Sequence, residues 1–199
     1  MLIFLTHGFA FLANQKTGSS AFEATFDRYA DYRSIKKKPE FKHTNYQSFC
    51  DLFSPIKERV ELICCVREPL ETLYSWYRFR SRDKIAGTNR STRNISFEQF
   101  FEEWNSERPA PFADVPSAVD LVLDRKGNIG DILVFSYRGQ TTIFDYAARK
   151  IGVAPEFKTR NLSPAASQDF ETATSRLNKL APRFARTCEI YNSINFANA

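Results

Sequence analysis

The stretch FLANQKTGSSAFEATF, from Phe11 to Phe26, passes from an apolar run through a short polar loop into a pattern with helical spacing. The apolar run Phe9–Ala13 has the length and the polar boundary of a buried strand. Phe22 and Phe26 then stand four residues apart, as they would on one face of a helix. The stretch therefore predicts a strand that turns tightly into a helix.

The loop inside this stretch carries residue types that hold anions. Gly18 allows close approach of the backbone, Lys16 adds a positive charge, and hydroxyls stand at Thr17, Ser19 and Ser20. The first N–H groups of the helix and its dipole favour an anion at the same place. We expect a phosphate site here. Ser19 or Ser20 is also expected to cap the helix, and the alternative to a phosphate site is an ordinary loop in which the serine does no more than that.

A second strand-to-turn transition is found in ICCVREPLETLYSWYRF. Leu62–Val66 is continuously apolar, as strands covered on both faces are. Pro69 suits the first turn of a helix that begins just after Arg67. Ser75 lies eight residues after Arg67, and an extended arginine along the helix would share one phosphate with it. The alternative is an arginine at a helix terminus and a chance serine.

The rest of the chain continues the alternation of strands and helices. Ile132–Ser136 reads as a strand, Phe97–Trp104 as an amphipathic helix, and a helix is expected to end at Gly152. A last helical region is interrupted by Pro182. We predict an α/β protein with a single domain over residues 1–199 and a mainly parallel sheet flanked by helices. Ligands of such sheets bind beyond the carboxyl ends of the strands.

The composition narrows the function only coarsely. The chain has 199 residues, a net charge of +5 and a pI of about 9.0, which favours anionic ligands without selecting one. Cys64 and Cys65 lie in an apolar run, which predicts buried thiols in a reducing compartment. With two histidines and no CxxC pair, a zinc cluster is not expected. The apolar N-terminus is too short to span a membrane.

Together, the two loops resemble those of sulfotransferases that use 3′-phosphoadenosine 5′-phosphosulfate (PAPS). The five residues Lys16-Thr17-Gly18-Ser19-Ser20 match the family's K-[ST]-G-[ST]-[ST] loop, although no proline precedes the lysine. Arg67, Pro69 and Ser75 match its Arg-x-Pro turn and following serine. Residues 120–139, KTRNLSPAA (158–166) and RTCEIYNSI (186–194) are more weakly similar to later segments of the Golgi-type and bacterial carbohydrate branch. The resemblance implies a P-loop-like sulfotransferase fold.

The resemblance also implies roles for individual residues. Lys16 would stabilise charge on the leaving phosphate, Thr17 to Ser20 would hold the 5′-phosphate, and Arg67 with Ser75 would bind the 3′-phosphate. His43 is the expected base, since relatives carry a histidine or glutamate in this region, and Glu40 is the alternative. No metal is required.

The expected reaction is transfer of a sulfuryl group from PAPS to an acceptor hydroxyl or amine, with a carbohydrate favoured. Two alternatives remain open: a non-catalytic nucleotide or polyanion binder of the same fold, and a divergent P-loop kinase. The kinase is disfavoured because the loop lacks the G-x-x-x-x-G-K-[ST] order. No nucleic-acid partner and no membrane span are expected, and a cytoplasmic location is predicted.

Overall fold

The computed structural model describes residues 1–34, 39–154, 169–175 and 177–197. These residues form two compact units. The first unit holds the described residues within 1–67, 119–154 and 193–197, and the second those within 68–118 and 169–192. The segment KTRNLSPAA lies outside the described residues. The expectation of one domain over residues 1–199 stays a prediction.

The first unit is built on a five-stranded sheet flanked by helices. Its strands are β1 (Leu2–Phe4), β2 (Phe9–Leu12), β3 (Tyr32–Arg33), β4 (Glu61–Val66) and β5 (Leu133–Ser136). Its described α-helices are α1 (Ser19–Phe26), α2 (Pro39–Lys42), α3 (Tyr46–Leu52), α4 (Ser54–Lys57) and α7 (Gln140–Ile151). Helices α5 (Pro69–Arg80) and α6 (Phe97–Trp104) lie between α4 and α7 in the chain and belong to the second unit. The α/β class predicted from the alternation of apolar runs is confirmed.

The sheet is mixed, with the order β3-β1-β2-β4-β5. β2, β4 and β5 run parallel, whereas β1 pairs antiparallel with both β2 and β3. Within the apolar N-terminus, the sequence analysis predicted a strand at Phe9–Ala13 alone. A short 3-10 helix at Leu5–His7 and Gly8, whose φ is +71°, reverse the chain there and make two strands. This reversal adds two antiparallel strand pairs to the two parallel pairs, so the sheet is mixed rather than clearly mainly parallel.

The core of the first unit is a cluster of aromatic rings between the sheet and α1 and α7. Phe11 of β2 stacks on Phe22 of α1 with ring centroids 3.9 Å apart, and Phe144 of α7 lies 5.3 Å from Phe22. All three side chains are buried. Truncating such a ring to alanine costs about 3–5 kcal/mol. The predicted helical face of Phe22 and Phe26 is therefore confirmed, and it fixes α1 on the sheet.

The second unit is helical in its described part. It contains α5 (Pro69–Arg80), α6 (Phe97–Trp104), α8 (Asp169–Thr174) and α9 (Pro182–Ser193). Ser96 and Gln99 form a capping box at the start of α6. Phe97, Phe100, Phe101 and Trp104 are buried, as their spacing predicted. Pro69 and Pro182 each begin a helix, which suits their fixed φ and missing N–H group.

Three further sequence expectations concern the end of a helix, two thiols and membrane-spanning helices. Gly152 ends α7 in the left-handed conformation, as predicted. Cys64 and Cys65 are buried, and burial raises the pKa of both thiols, that of Cys65 to about 12, so both are protonated at neutral pH. Across the described residues, no helix has both the length and the apolar character needed to cross a membrane.

Candidate functional site

The loop between β2 and α1 is held in a strained conformation. Lys16 has a φ of +64° and Gly18 a φ of +72°. Glycine adopts this left-handed region freely, but for a residue with a Cβ atom it costs about 1–2 kcal/mol. Lys16 is the one non-glycine residue with a positive φ in the part of the chain that the structure describes. Strain of this kind at a loop is an indication of function, because the fold has to stabilise it elsewhere.

Asn14 stabilises that loop through hydrogen bonds to β4 and to residues of the loop itself. Its side-chain Nδ2 donates to the carbonyl oxygen of Cys65 at 3.2 Å, and its Oδ1 accepts from the N–H of Gln15 at 2.8 Å. Thr17 Oγ1 donates to the carbonyl oxygen of Asn14 at 2.9 Å. Asn14 and Thr17 are 6% and 3% exposed. These contacts join the ends of β2 and β4, a role of Asn14 that its sequence position alone did not reveal.

The start of α1 differs from the sequence expectation. Gly18 occupies the N-cap position and no side chain caps the helix, so the expected cap by Ser19 or Ser20 is wrong. Ser19 and Ser20 are the first two helical residues. The first backbone hydrogen bond is donated by Ala21 N–H to Gly18 O at 2.8 Å. The N–H groups of Ser19 and Ser20 come before this bond in the chain, as the first donors of any helix do, and donors in this position favour an anion.

His43 lies at the base of the same loop. Its Nδ1 is 2.6 Å from the carbonyl oxygen of Ala13, the residue between β2 and the loop. Because a carbonyl only accepts, Nδ1 carries the proton, and neutral imidazole then has its lone pair on Nε2. Burial lowers the pKa of His43 and the neighbouring charge of Lys42 lowers it further, while the Ala13 carbonyl opposes this shift. His43 is therefore neutral at pH 7, with Nε2 able to accept a proton.

Lys42 is a second cation at this loop that the sequence reading did not single out. Its Nζ lies 3.3 Å from Ser20 Oγ and 3.2 Å from Glu23 Oε2. The amino group of Met1 donates to the Lys42 carbonyl oxygen at 2.9 Å and to Glu23 at 3.0 Å. These bonds fix the chain just before His43. No spacing in the sequence marks Lys42, because the contacts join residues far apart in the chain.

The alternative base, Glu40, falls in the short helix α2, and its side chain lies outside the described part of the structure. Its candidacy stays a prediction. The structure thus gives a position for one of the two candidate bases, His43.

The second predicted anchor, Arg67, follows the end of β4. Val66 of β4 pairs with Ser136 of β5, so Arg67 is next to Tyr137 across the sheet edge. The guanidinium carbon of Arg67 lies 4.6 Å from the centroid of the Tyr137 ring. A cation over an aromatic face is stabilised by about 0.5–2 kcal/mol, which orients the half-buried arginine. Tyr137 is another residue that the sequence reading missed.

Ser75, the expected partner of Arg67, is a half-buried residue of α5 in the second unit. The helix begins at Pro69 as predicted, and Glu68 caps it by accepting from the N–H of Glu71 at 2.7 Å. The pairing of Ser75 with Arg67 stays a prediction from their spacing.

The first unit thus brings Lys16, Thr17, Gly18, Ser19, Ser20 and His43 to one loop, and the carboxyl ends of the parallel strands carry that loop, Arg67 and Tyr137. Cationic groups and helix N–H donors at such an edge suit a phosphorylated ligand. Among the described residues, no group of three or more His, Cys, Asp or Glu could hold a metal ion.

Comparison with models of known protein families, with curated proteins and with solved structures found no match for this chain.

Proposed function

We propose that the chain is a PAPS-dependent sulfotransferase that moves a sulfuryl group to an acceptor hydroxyl or amine, with a carbohydrate favoured. The observation that carries the proposal is the hydrogen bond between His43 and Ala13, because it puts a neutral imidazole beside the lysine-containing loop. The finer fold assignment, a P-loop-like sulfotransferase fold, is part of the proposal. It is supported by the parallel strands β2, β4 and β5 and by the strand–loop–helix at Lys16–Ser20.

In the proposed reaction, the acceptor oxygen attacks the sulfur of PAPS in line with the bridging oxygen. The new S–O bond forms as the bond between sulfur and the 5′-phosphate oxygen breaks. The acceptor proton passes to Nε2 of His43, which becomes imidazolium. Negative charge grows on the departing phosphate oxygen, so a cation aimed there lowers the barrier more than it strengthens ground-state binding.

Lys16 takes that cationic role, and the N–H groups of Ser19 and Ser20 add donors for the 5′-phosphate. Thr17 Oγ1 donates within the loop, so the proposal assigns its backbone N–H to the phosphate. Charge-assisted hydrogen bonds contribute about 1.5–3 kcal/mol each. Three of them would hold the nucleotide and keep its leaving group oriented.

Arg67 is proposed to bind the 3′-phosphate, with Tyr137 orienting the guanidinium. Ser75 is assigned to the same phosphate by its sequence spacing alone. Contact with the 3′-phosphate would make the site selective for PAPS over nucleotides that lack this group. A reducing, cytoplasmic location is proposed on the ground of the unpaired, buried Cys64 and Cys65.

The test is direct. Purified protein is incubated with PAPS and a panel of carbohydrate, phenol and amine acceptors, and release of adenosine 3′,5′-bisphosphate is measured. The expected result is acceptor-dependent release that is lost in both Lys16→Ala and His43→Gln. Nucleotide binding without turnover of any acceptor would favour the non-catalytic binder. Mg²⁺-dependent binding of ATP that ignores a 3′-phosphate would favour the kinase.

A further inference from the structure

The second unit contains a cavity of about 390 Å³ that is separate from the residues assigned to PAPS. This volume is at the lower end of the range for small-molecule sites. Its wall is mostly polar and carries two guanidinium groups and one carboxylate. The lining residues are Arg80, Asn89, Arg90, Pro109, Pro111 and Asp114.

Arg80, in the last turn of α5, is a buried cation in this wall. It is 8% exposed, and its guanidinium donates to the carbonyl oxygens of Pro111 and Asp114, the latter at 2.8 Å. These bonds use two of its five N–H groups, and the carbonyls carry no net charge to balance the guanidinium. Within the described residues Arg80 forms no ion pair. A buried charge without an ion-pair partner is costly, and a bound anion would supply that partner.

Arg90 brings a second positive charge to the same cavity. Burial lowers the pKa of Arg80, and the charge of Arg90 lowers it further, whereas Asp114 opposes the shift. Arg90 is exposed, and no carboxylate of the described residues pairs with it. Arg93, by contrast, pairs with Asp83. Two guanidinium groups and one carboxylate leave the cavity with a net charge of about +1.

We propose that this cavity binds an oxyanion, that is, a carboxylate, sulfate or phosphate group, through the guanidinium groups of Arg80 and Arg90. Bidentate contact with oxyanions is what the planar guanidinium favours. The side-chain amide of Asn89 is a further donor at the wall. Bound oxyanion would remove the repulsion between the two arginines and neutralise the buried Arg80. The proposal does not depend on the sulfotransferase assignment.

Affinity is measured by titration calorimetry at low ionic strength with sodium sulfate, sodium phosphate and sodium acetate as separate probes. Fluorescence gives a local readout, since the Trp76 ring centroid lies 5.7 Å from the guanidinium carbon of Arg80. Arg90→Gln is expected to lower the affinity of the bound probe at least tenfold. Its matched control is Lys84→Gln, which removes one exposed positive charge from the same segment outside the cavity wall and should change affinity less than twofold.

Asp114→Asn is expected to tighten binding severalfold, because it removes the opposing negative charge while its carbonyl bond to Arg80 remains. The titration is repeated with Arg67→Ala, which should leave the affinity unchanged. Loss of binding in Arg67→Ala would show that the anion occupies the proposed nucleotide site and would overturn this proposal. Equal loss in Arg90→Gln and Lys84→Gln, or no binding of any of the three anions, would overturn it as well.

Discussion

His43 Nδ1 lies 2.6 Å from the carbonyl oxygen of Ala13, so the imidazole is hydrogen-bonded to the residue from which the lysine-containing loop begins. The two residues are thirty positions apart in the chain. The contact determines the tautomer of His43 and holds its ring at the loop. A histidine that was one of two candidate bases in the sequence thereby becomes part of the same local structure as Lys16.

The first prediction concerns the pH dependence of sulfuryl transfer. Because burial lowers the pKa of His43, its proton leaves at a lower pH than usual, and the neutral base predominates at pH 7. The single-turnover rate should stay level above pH 7 and fall through a midpoint below about 6.5 as the pH decreases.

His43→Gln should abolish this dependence and slow transfer roughly 10²- to 10⁴-fold. His7→Gln, which changes the other histidine of the chain, should keep the wild-type profile. A normal rate and midpoint in His43→Gln would assign the base role to another residue, with Glu40 the next variant to measure.

The second prediction concerns stability and needs no substrate. The unfolded chain takes up a proton on His43 at about pH 6.5, whereas the folded chain does so at lower pH. Protonation therefore favours unfolding, and the contribution of His43 to stability should be lost as the pH falls below about 6.5. Urea unfolding of wild type and His43→Gln at pH 8 and pH 5 measures it. A wild-type advantage that does not shrink at pH 5 would contradict the lowered pKa.

The third prediction separates the charge of Lys16 from its backbone strain. Lys16→Gly should raise the free energy of unfolding by about 1 kcal/mol relative to Lys16→Ala, because glycine adopts a φ of +64° without a Cβ clash. Both variants should slow transfer alike, since both lose the ammonium group. Chemical denaturation and single-turnover kinetics measure the two effects. Retained turnover in either variant would remove Lys16 from its assigned role.

The fourth prediction tests the 3′-phosphate contact. Arg67→Ala should weaken the binding of adenosine 3′,5′-bisphosphate by roughly 10- to 100-fold, the effect of one charge-assisted hydrogen bond, and leave the binding of AMP nearly unchanged. Tyr137→Leu, which removes the ring against the guanidinium, should show a smaller loss of the same kind. Arg149→Ala, an exposed charge on α7, is the matched control. Equal loss for both nucleotides would refute the assignment.

The fifth prediction concerns Asn14, which links the ends of β2 and β4. In Asn14→Asp, a carboxylate oxygen replaces the donor that faces the Cys65 carbonyl, so two acceptors meet in a buried place. The free energy of unfolding should fall by about 2 kcal/mol or more. Gln15→Glu, an isosteric change at the half-buried neighbour, should cost less than about 0.5 kcal/mol. Similar losses in the two variants would mean that the Asn14 bond is unimportant.

Local sequence patterns predicted much of the fold. Continuous apolar runs located β4 and β5, and the spacing of Phe97, Phe100 and Trp104 located α6, because burial of one face imposes its period on the sequence. Pro69 marked the start of α5 and Gly152 the end of α7, because proline has a fixed φ and glycine tolerates a positive one. The separation of β1 from β2 was missed, because an apolar run does not show where a short 3-10 helix reverses it.

The cap of α1 was also predicted wrongly. Serine is a common N-cap residue, but at this turn Gly18 takes the position in the left-handed conformation. Propensity describes an average helix start. The tight turn after β2 selects the residue that tolerates a positive φ.

By itself, the sequence determined the α/β class and which residues follow the strand ends, namely Lys16 to Ser20 after β2 and Arg67 after β4. These are consequences of burial and turn geometry, which act over a few residues. Only the tertiary structure decided that Asn14 binds Cys65, that His43 binds Ala13, that Lys42 reaches Ser20 and that Tyr137 lies against Arg67. Each of these contacts joins segments that are far apart in the chain and that the packing of the sheet brings together. A contact of that kind leaves no period or spacing in the sequence.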